Sequence, residues 1–390
     1  MAARTDFKFI VLGLGGIGSG AAYWLARRFG DDVLGLEQFE LGHARGESQD
    51  HSRIIRLSYH APEYVELAKR AYETWSELEA DAGERVVLQT GGLDLGPRVS
   101  AIPLETYADA MTACNVPFER LDAREIVRRW PQWRLTDDIH GLFQTRSGIA
   151  MAARANAAHQ RMAREHGATL LDRTPVLSVT PRDGEYLVAT REHTFRAQRV
   201  AIAAGPWSNQ TLANFGVDLP LEVTKEQVTY FESPDLASFA PERFPVWIWM
   251  DDPSFYGFPA FGEPAVKVAQ DAGGKPVHPD TRDFESDADN SARVRAFLER
   301  YLPSALGPVR LVKTCLYTLT PDRDFVIDRI PLHDGVAVAI GAGHAFKFAS
   351  VIGRVLSELV ADGATPSDIS RFSLDRPILQ LANPPRAYMV

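Results

Sequence analysis

Cysteine is nearly absent: Cys114 and Cys315 are the only two in 390 residues. Two thiols cannot build a disulfide framework, and no repeated ligand spacing suggests a metal, so none is expected. Long apolar runs are missing as well; none approaches the roughly 20 residues of a membrane span. Positive charge is not in excess. A net charge of −9 argues against nucleic acid as a partner, although local basic patches remain able to bind small anions. Repeat arrays and low-complexity segments are lacking too. The N-terminal apolar stretch has no signal-peptide cleavage pattern. These absences lead to the expectation of a cytoplasmic enzyme acting on a small molecule, monomeric or weakly oligomeric, away from membranes. Cys315 is left either buried and inert or chemically used.

What is present is concentrated between Phe7 and Glu37. A buried strand, Phe9 to Leu12, runs into Gly13-Leu14-Gly15-Gly16-Ile17-Gly18, followed by a helical pattern and a second apolar run ending in Glu37. Gly13 permits a tight turn, Gly15 lets backbone approach a pyrophosphate, and Gly18 allows close packing of helix on strand. The helix N-terminus offers N–H groups and a positive dipole end to phosphates. Glu37 stands where an acid accepts from ribose hydroxyls. The motif points to a dinucleotide without choosing between FAD and NAD.

Further along, Arg53-Ile54-Ile55-Arg56 places two arginines three apart, which on a helix share a face. Pro62 opens a helix stopped at Gly83. Val86 to Leu95 reads as strand, turn, strand around Gly91-Gly92, and residues 104 to 129 as two helices ended by Trp130-Pro131. Met151 to His166 is helical. Ala168 to Val179, Glu185 to Phe195 and Arg199 to Ala204 are expected strands, the last reaching Gly205-Pro206-Trp207, where backbone can again approach a nucleotide. From Leu219 to Val268 an aromatic-rich alternation predicts an antiparallel sheet, followed by a polar loop at 270 to 283 and a helix at Ala292 to Tyr301. Gly335 to Ile340, the glycines Gly341 and Gly343, and a helix from about Phe346 to Val360 repeat the opening logic. Nucleotide-type elements thus sit at both ends and near 200, with the aromatic sheet between them. Two discontinuous domains are expected: residues 1–85, 148–216 and 322–390 for the cofactor, 86–147 and 217–321 for the substrate.

GLGGIG (Gly13 to Gly18), SRIIR (Ser52 to Arg56), YGFPAFG (Tyr256 to Gly262), Lys267, KTCLYTLTPD (Lys313 to Asp322) and GHAFKF (Gly343 to Phe348) occur in this order along the chain. In these stretches it resembles the monomeric sarcosine oxidase and N-methyltryptophan oxidase family of flavin amine oxidases. The resemblance covers nearly the whole length. It implies FAD rather than NAD, an oxidase reaction, and a glycine-oxidase-like fold of mixed α/β and α+β class. In such a fold a Rossmann-type FAD-binding domain carries a second, antiparallel-sheet substrate domain.

The same resemblance assigns roles. Cys315 matches the cysteine joined through sulfur to the flavin, a thioether tether; Cys114 has no such context. Arg56 and Lys347 match the pair that holds the substrate carboxylate, a fork and a point charge, which aims the α-carbon hydrogen at flavin N5. Arg53 matches an arginine close to the flavin ring. Lys267 matches the lysine that promotes reaction with oxygen by stabilising developing negative charge. His344, Tyr256 and Tyr317 match active-site residues. The implied cofactor contacts include Gly16, Ile17, Gln38, Ser52 and Val176. They continue with Ala204, Gly205, Trp207, Gly343, Phe346 and Lys347.

Two departures stand out. Asp271 replaces the histidine four residues after the lysine. Trp247 and Trp249, on one face of a strand, replace smaller pocket residues. They point to a secondary amino acid other than N-methylglycine, cyclic, aromatic or polar-tailed, oxidised by hydride transfer from the neutral amine with no obligatory general base. The alternative is an enzyme of the same fold that passes electrons to an acceptor other than oxygen.

Overall fold

The structure, a computed structural model, describes residues 4–385 and 387; the outermost ends of the expected cofactor domain lie outside them. One sheet has eight strands. At its centre Asp6–Leu12 lies parallel to Val33–Leu36 on one side and Thr194–Ile202 on the other. Thr169–Leu171 extends the sheet beyond Val33–Leu36, and Val336–Ile340 joins Thr194–Ile202, both in parallel. Strands covered on both faces read as continuous apolar runs, and Phe9, Ile10, Val11 and Leu12 are all buried. Helix Gly16–Phe29 turns Ala21, Ala22, Leu25 and Ala26 inward and packs between Ala152–Glu165 and Ala349–Asp362. Trp24 Nε1 donates to the Ser350 carbonyl at 3.0 Å across that contact.

The second sheet has nine strands. Its long members, Glu222–Phe231 and Val309–Leu319, pair antiparallel, and Val266–Gln270, Phe255–Phe258 and Val246–Trp249 continue from Glu222–Phe231. It is not wholly antiparallel: Val246–Trp249 runs parallel to Gly92–Pro97. A three-stranded sheet of Arg53–Ile55, Gly148–Ala150 and Val87–Gln89 lies beside the two. The fold is thus mixed α/β and α+β, as expected. We read each large sheet, with its covering helices, as one of the two discontinuous domains.

Several local expectations change. The expected strand, turn, strand at 86–95 is present, but its two strands do not pair with each other: Val87–Gln89 pairs with Gly148–Ala150 while Gly92–Pro97 pairs with Ile139–Gln144. The chain leaves one sheet and enters another at Gly91. Ala168 to Val179 splits into Thr169–Leu171 and a separate strand starting at Ser178. The expected strand at Arg199–Ala204 is the end of the longer Thr194–Ile202. Arg53 and Arg56 do not share a helical face: Arg53–Ile55 is extended and Arg56 follows it, yet both residues line one cavity. Trp247 and Trp249 do share a face, but it is the core face. Trp247 stacks on Phe297 at 5.5 Å and Trp249 lies against Tyr301 at 4.2 Å, both under helix Ala288–Tyr301. The residues of alternate parity, Ile248 and Met250, face a cavity instead.

Candidate active site

A cleft of about 440 Å³ opens at the C-terminal ends of the parallel strands, where doubly wound sheets bind ligands. Gly13, at φ +87, turns the chain there, and a Cβ on it would lie 2.5 Å from the Ala203 carbonyl oxygen. A Cβ on Gly18 would lie 1.9 Å from the Gly13 oxygen. Glycine is therefore a steric requirement at both positions. Gly15, the N-cap, brings no side-chain cap of its own; Ser48 Oγ accepts from the Gly16 N–H at 2.8 Å, and the positive end of the helix lies at the cleft. Gly13, Gly15, Gly16 and Ile17 line the cleft with Glu37 and Gln38; Val176, Ala204, Gly205 and Trp207 form the remainder of its wall. Gly18 stays beneath the turn.

Glu37 Oε2 accepts from the Leu14 N–H at 2.9 Å and Oε1 from the Phe39 N–H at 3.1 Å. Burial alone would raise its pKa, but His43 and these backbone donors outweigh burial and lower it. An ionised acceptor thus faces the cleft. The glycine turn at the helix N-terminus and this carboxylate fit an adenine dinucleotide.

A second cavity, of about 120 Å³, joins the first at Gly16, Ile17, Glu47, Ser48 and Gly341. Among the expected residues it brings together Arg53, Arg56, Tyr256, Asp271, Tyr317, His344 and Lys347, with Gly343 and Phe346. Ile102, Tyr107, Ile248 and Met250 make an apolar wall. Arg56 is buried, its Nη1 3.1 Å from Asp94 Oδ1. The Arg53 guanidinium is fixed by two carbonyls, Ser52 at 2.9 Å and Glu47 at 2.8 Å. Lys347 comes from the 3₁₀ turn Phe346–Phe348. Burial, then repulsion from Arg56, brings its pKa down to about 7.

His344 Nε2 lies 2.8 Å from the Arg323 carbonyl, which only accepts, so Nε2 carries the hydrogen. Its Nδ1 is then a buried acceptor without a protein partner. Burial and the nearby Lys347 and Arg323 push the ring well below the usual histidine range, so it is neutral. Asp271 is tied to Arg323 Nη1 at 2.7 Å. The wall therefore presents a compensated pair rather than a free anion, and a carboxylate ligand in the cavity meets net positive charge.

Lys267, Ser52 and Cys315 do not line this cavity. Lys267 lies behind Phe258, with Nζ 3.0 Å from the Ser52 carbonyl and 2.6 Å from Asp50. Cys315 opens into a small side cavity bounded by Gln49, Asp50, Arg53, Tyr256, Lys313 and Tyr317. Burial pushes its thiol up to about 11. Burial likewise lifts the Tyr256 and Tyr317 phenols above their usual range. Cys114 is buried with its sulfur 3.7 Å from the Pro62 carbonyl, a packing position.

Residues 8–359 match the family described as FAD dependent oxidoreductase. The chain belongs to this family. Within it, the chain is 33% identical to the monomeric sarcosine oxidase of Bacillus sp. (strain NS-129), over 96% of this chain and 98% of that protein. It is 32% identical to an N-methyl-L-tryptophan oxidase of Salmonella heidelberg, over 95% and 99% respectively. Among solved structures it is similar to the open form of NikD, an unusual amino acid oxidase essential for nikkomycin biosynthesis. The TM-score is 0.84 at 27% identity, over 95% of this chain and 98% of that one. The FAD dependent oxidoreductase described here is therefore an enzyme of the amine and amino-acid oxidase class, with FAD as its cofactor. Among its described residues no helix is long and apolar enough to cross a membrane, and no cluster of three or more metal-ligating side chains occurs.

Sequence reasoning missed Asp50, Asp94 and Arg323, which hold Lys267, Arg56 and Asp271. Asp94 had a signal: it is the one charge inside the strand Gly92–Pro97, and its side chain is nearly fully buried. Asp50 and Arg323 lie in polar stretches where nothing marks them.

A pH dependence follows from Lys347. Its pKa in the folded protein lies below the usual lysine range, so it is cationic below about 7 and neutral above. Binding a carboxylate favours the cation. The affinity for a non-oxidisable carboxylate such as acetate should be level below pH 7 and fall above it, by at most about tenfold per pH unit. Calorimetric titration from pH 6 to 9 checks this, and Lys347→Met should abolish the slope.

Proposed function

We propose that this enzyme oxidises the carbon–nitrogen bond of a secondary amino acid that is N-methylated, N-substituted or cyclic, and uses dioxygen as the final acceptor. The observation that supports this most directly is the presence of the buried Arg56 and the half-buried Lys347 in one largely apolar cavity that joins the dinucleotide cleft. The chemistry that FAD would supply when bound is two-electron oxidation of the carbon beside the nitrogen, with dioxygen reduced to hydrogen peroxide. The glycine turn, Glu37, Gln38, Val176 and the 204–207 segment would hold it, with Ser52 and Arg53 nearby.

In this reading Arg56 grips both carboxylate oxygens of the substrate and Lys347 adds a point charge. Fixing that end orients the α-carbon. The unprotonated His344 Nδ1 offers the amine N–H an acceptor rather than another cation. Tyr256 and Tyr317, both above their usual pKa range, keep their protons and serve as neutral hydrogen-bond groups. The fixed charge of Arg53 favours the electron-rich form of the cofactor, and that of Lys267 favours electron transfer to oxygen. The relatives named above act on sarcosine and on N-methyl-L-tryptophan, both N-methylated amino acids. The apolar wall of Ile102, Tyr107, Ile248 and Met250 leaves room for more than the hydrogen of N-methylglycine, so a bulkier side chain or ring is the better fit.

A panel of N-methyl and cyclic amino acids, followed by peroxide release in air, tests the reading. Best turnover on sarcosine would sink the argument from the wall. Turnover with an artificial acceptor but no peroxide in air would favour the dehydrogenase alternative.

We also assign covalent attachment of FAD to Cys315. The denatured wild-type chain should then carry the mass of one FAD, and Cys315→Ser should lose it on denaturation. A wild-type mass equal to that of the bare chain would rule the linkage out. Because the free thiol titrates near 11, the attachment should be slow at neutral pH and faster in alkali, as thiolate becomes available; reconstitution of FAD-free protein would show this.

A further inference from the structure

The Lys267 ammonium is one of two held by a single buried carboxylate. Asp50 Oδ2 lies 2.6 Å from Lys267 Nζ and Oδ1 lies 2.9 Å from Lys313 Nζ. The Tyr230 hydroxyl adds a donor 2.8 Å from each oxygen. The Asp50 and Lys267 side chains are 3% and 2% exposed, whereas Lys313 is 28% exposed. Asp50 also sits at φ +86, a backbone conformation that L-residues rarely adopt. Such strain persists where the surroundings over-determine it, and it concentrates at functional sites.

Nothing in the site as proposed so far uses Asp50. We infer that Asp50 is a positioning residue for the reaction with oxygen, whose carboxylate holds the Lys267 side chain in place and in its charged form. This rests on the role proposed above for Lys267.

The groups facing Lys267 leave little else to keep it cationic. Arg53, on the neighbouring short strand, repels it. Ser52 contributes a carbonyl and a hydroxyl, and Phe258 contributes only a ring face at 4.7 Å. Strand Val309–Leu319 contributes Lys313 and the thiol of Cys315, and strand Glu222–Phe231 contributes the Tyr230 phenol, which is hydrogen-bonded to Asp50. Among the described residues the one carboxylate paired with Lys267 is Asp50. An ammonium taken out of water loses its proton readily unless an anion is adjacent. Burial already draws Lys267 down to about 8 against the opposing pull of Asp50, with Arg53 adding to the fall. Asp50 is held far below the usual carboxylate range: its burial would raise it, but Lys267 and Arg53 more than reverse that. Asp50 therefore stays an anion at every working pH. Lys313 balances the second oxygen from the solvent side, so the trio of Lys267, Asp50 and Lys313 keeps one net positive charge, on which an electron-accepting oxygen can draw.

The test uses the holoenzyme and four variants: Asp50→Asn, Asp50→Glu, Lys267→Met, and the double variant Asp50→Asn with Lys267→Met. Rapid mixing of substrate-reduced enzyme with oxygenated buffer measures reoxidation, and anaerobic mixing with substrate measures reduction. In Asp50→Asn, the apparent pKa of reoxidation should move down by about one unit or more, so that reoxidation at pH 8 falls about fivefold or more. Reduction should stay within about twofold, and Asp50→Glu should restore most of the oxygen reaction. The double variant should be no slower than Lys267→Met, because Asp50 acts through that lysine. The second readout is independent of turnover. The chain has seven lysines, few enough for ¹³C-lysine labelling to follow the Lys267 resonance with pH, and its midpoint should drop in Asp50→Asn. An unchanged midpoint and reoxidation rate would overturn the inference, as would slowing that adds in the double variant. Normal reoxidation in Lys267→Met would instead refute the role of the lysine, and the oxygen-side role of Asp50 with it.

Discussion

Arg56→Met should lower kcat/KM for an amino-acid substrate by about 10²- to 10⁴-fold. That range corresponds to about 3–5 kcal/mol, within what is lost when one partner of a buried, hydrogen-bonded charge pair is truncated. Most of the loss should fall on KM, because the carboxylate is gripped as firmly before the chemical step as during it. An amine of the same shape without a carboxylate should react as poorly with wild type as with the variant. Steady-state kinetics on the matched pair checks both statements, and an unchanged KM for the amino acid would remove Arg56 from the binding site. The structure adds a complication. Arg56 is paired with buried Asp94 at 3.1 Å, so removing the cation strands an anion, at a cost of about 3–5 kcal/mol in stability. Asp94→Asn in the same chain should recover much of the stability and little of the affinity. A denaturant melt beside the kinetics separates the two effects.

Lys267→Met should slow reoxidation by oxygen about 10²- to 10³-fold, the usual effect of removing one preorganised charge from a buried site. Reduction by substrate should be nearly unaffected. The sign of the pH dependence follows from burial: the pKa of Lys267 falls from 10.5 to about 8, so the cation is complete below 8 and is lost as pH rises through it. Wild-type reoxidation should therefore decline above pH 8, and the variant should be flat. A variant that reoxidises at the wild-type rate would leave the oxygen reaction without this cation.

The parts of the site that could be read early lie close together in the chain. The turn from Gly13 to Gly18 is local: strand, tight turn and helix follow one another, and steric limits at Gly13 and Gly18 act over a few residues. Glu37 ends the next strand and falls beside the turn through parallel pairing with Asp6–Leu12. The cavity was legible only through the resemblance, because its members come from segments near 56, 256, 271, 317 and 347. Trp247 and Trp249 show the limit of pattern alone. Alternation correctly put them on one face, but which face meets the cavity was set by helix Ala288–Tyr301, which covers them. Arg53 and Arg56 show another limit: their spacing suits a helix, yet pairing with Gly148–Ala150 drew the segment into a strand.

Short-range rules of backbone and spacing thus account for the dinucleotide turn, for most helices and strands, and for the absence of disulfides. Long-range pairing settled the charge of the site. Whether Arg56, Lys267 and Asp271 are free ions or halves of buried pairs depends on Asp94, Asp50 and Arg323, which are 38, 217 and 52 residues distant. Coulomb interaction and desolvation act through space and follow the folded path rather than the order of residues, so no reading along the chain contains them.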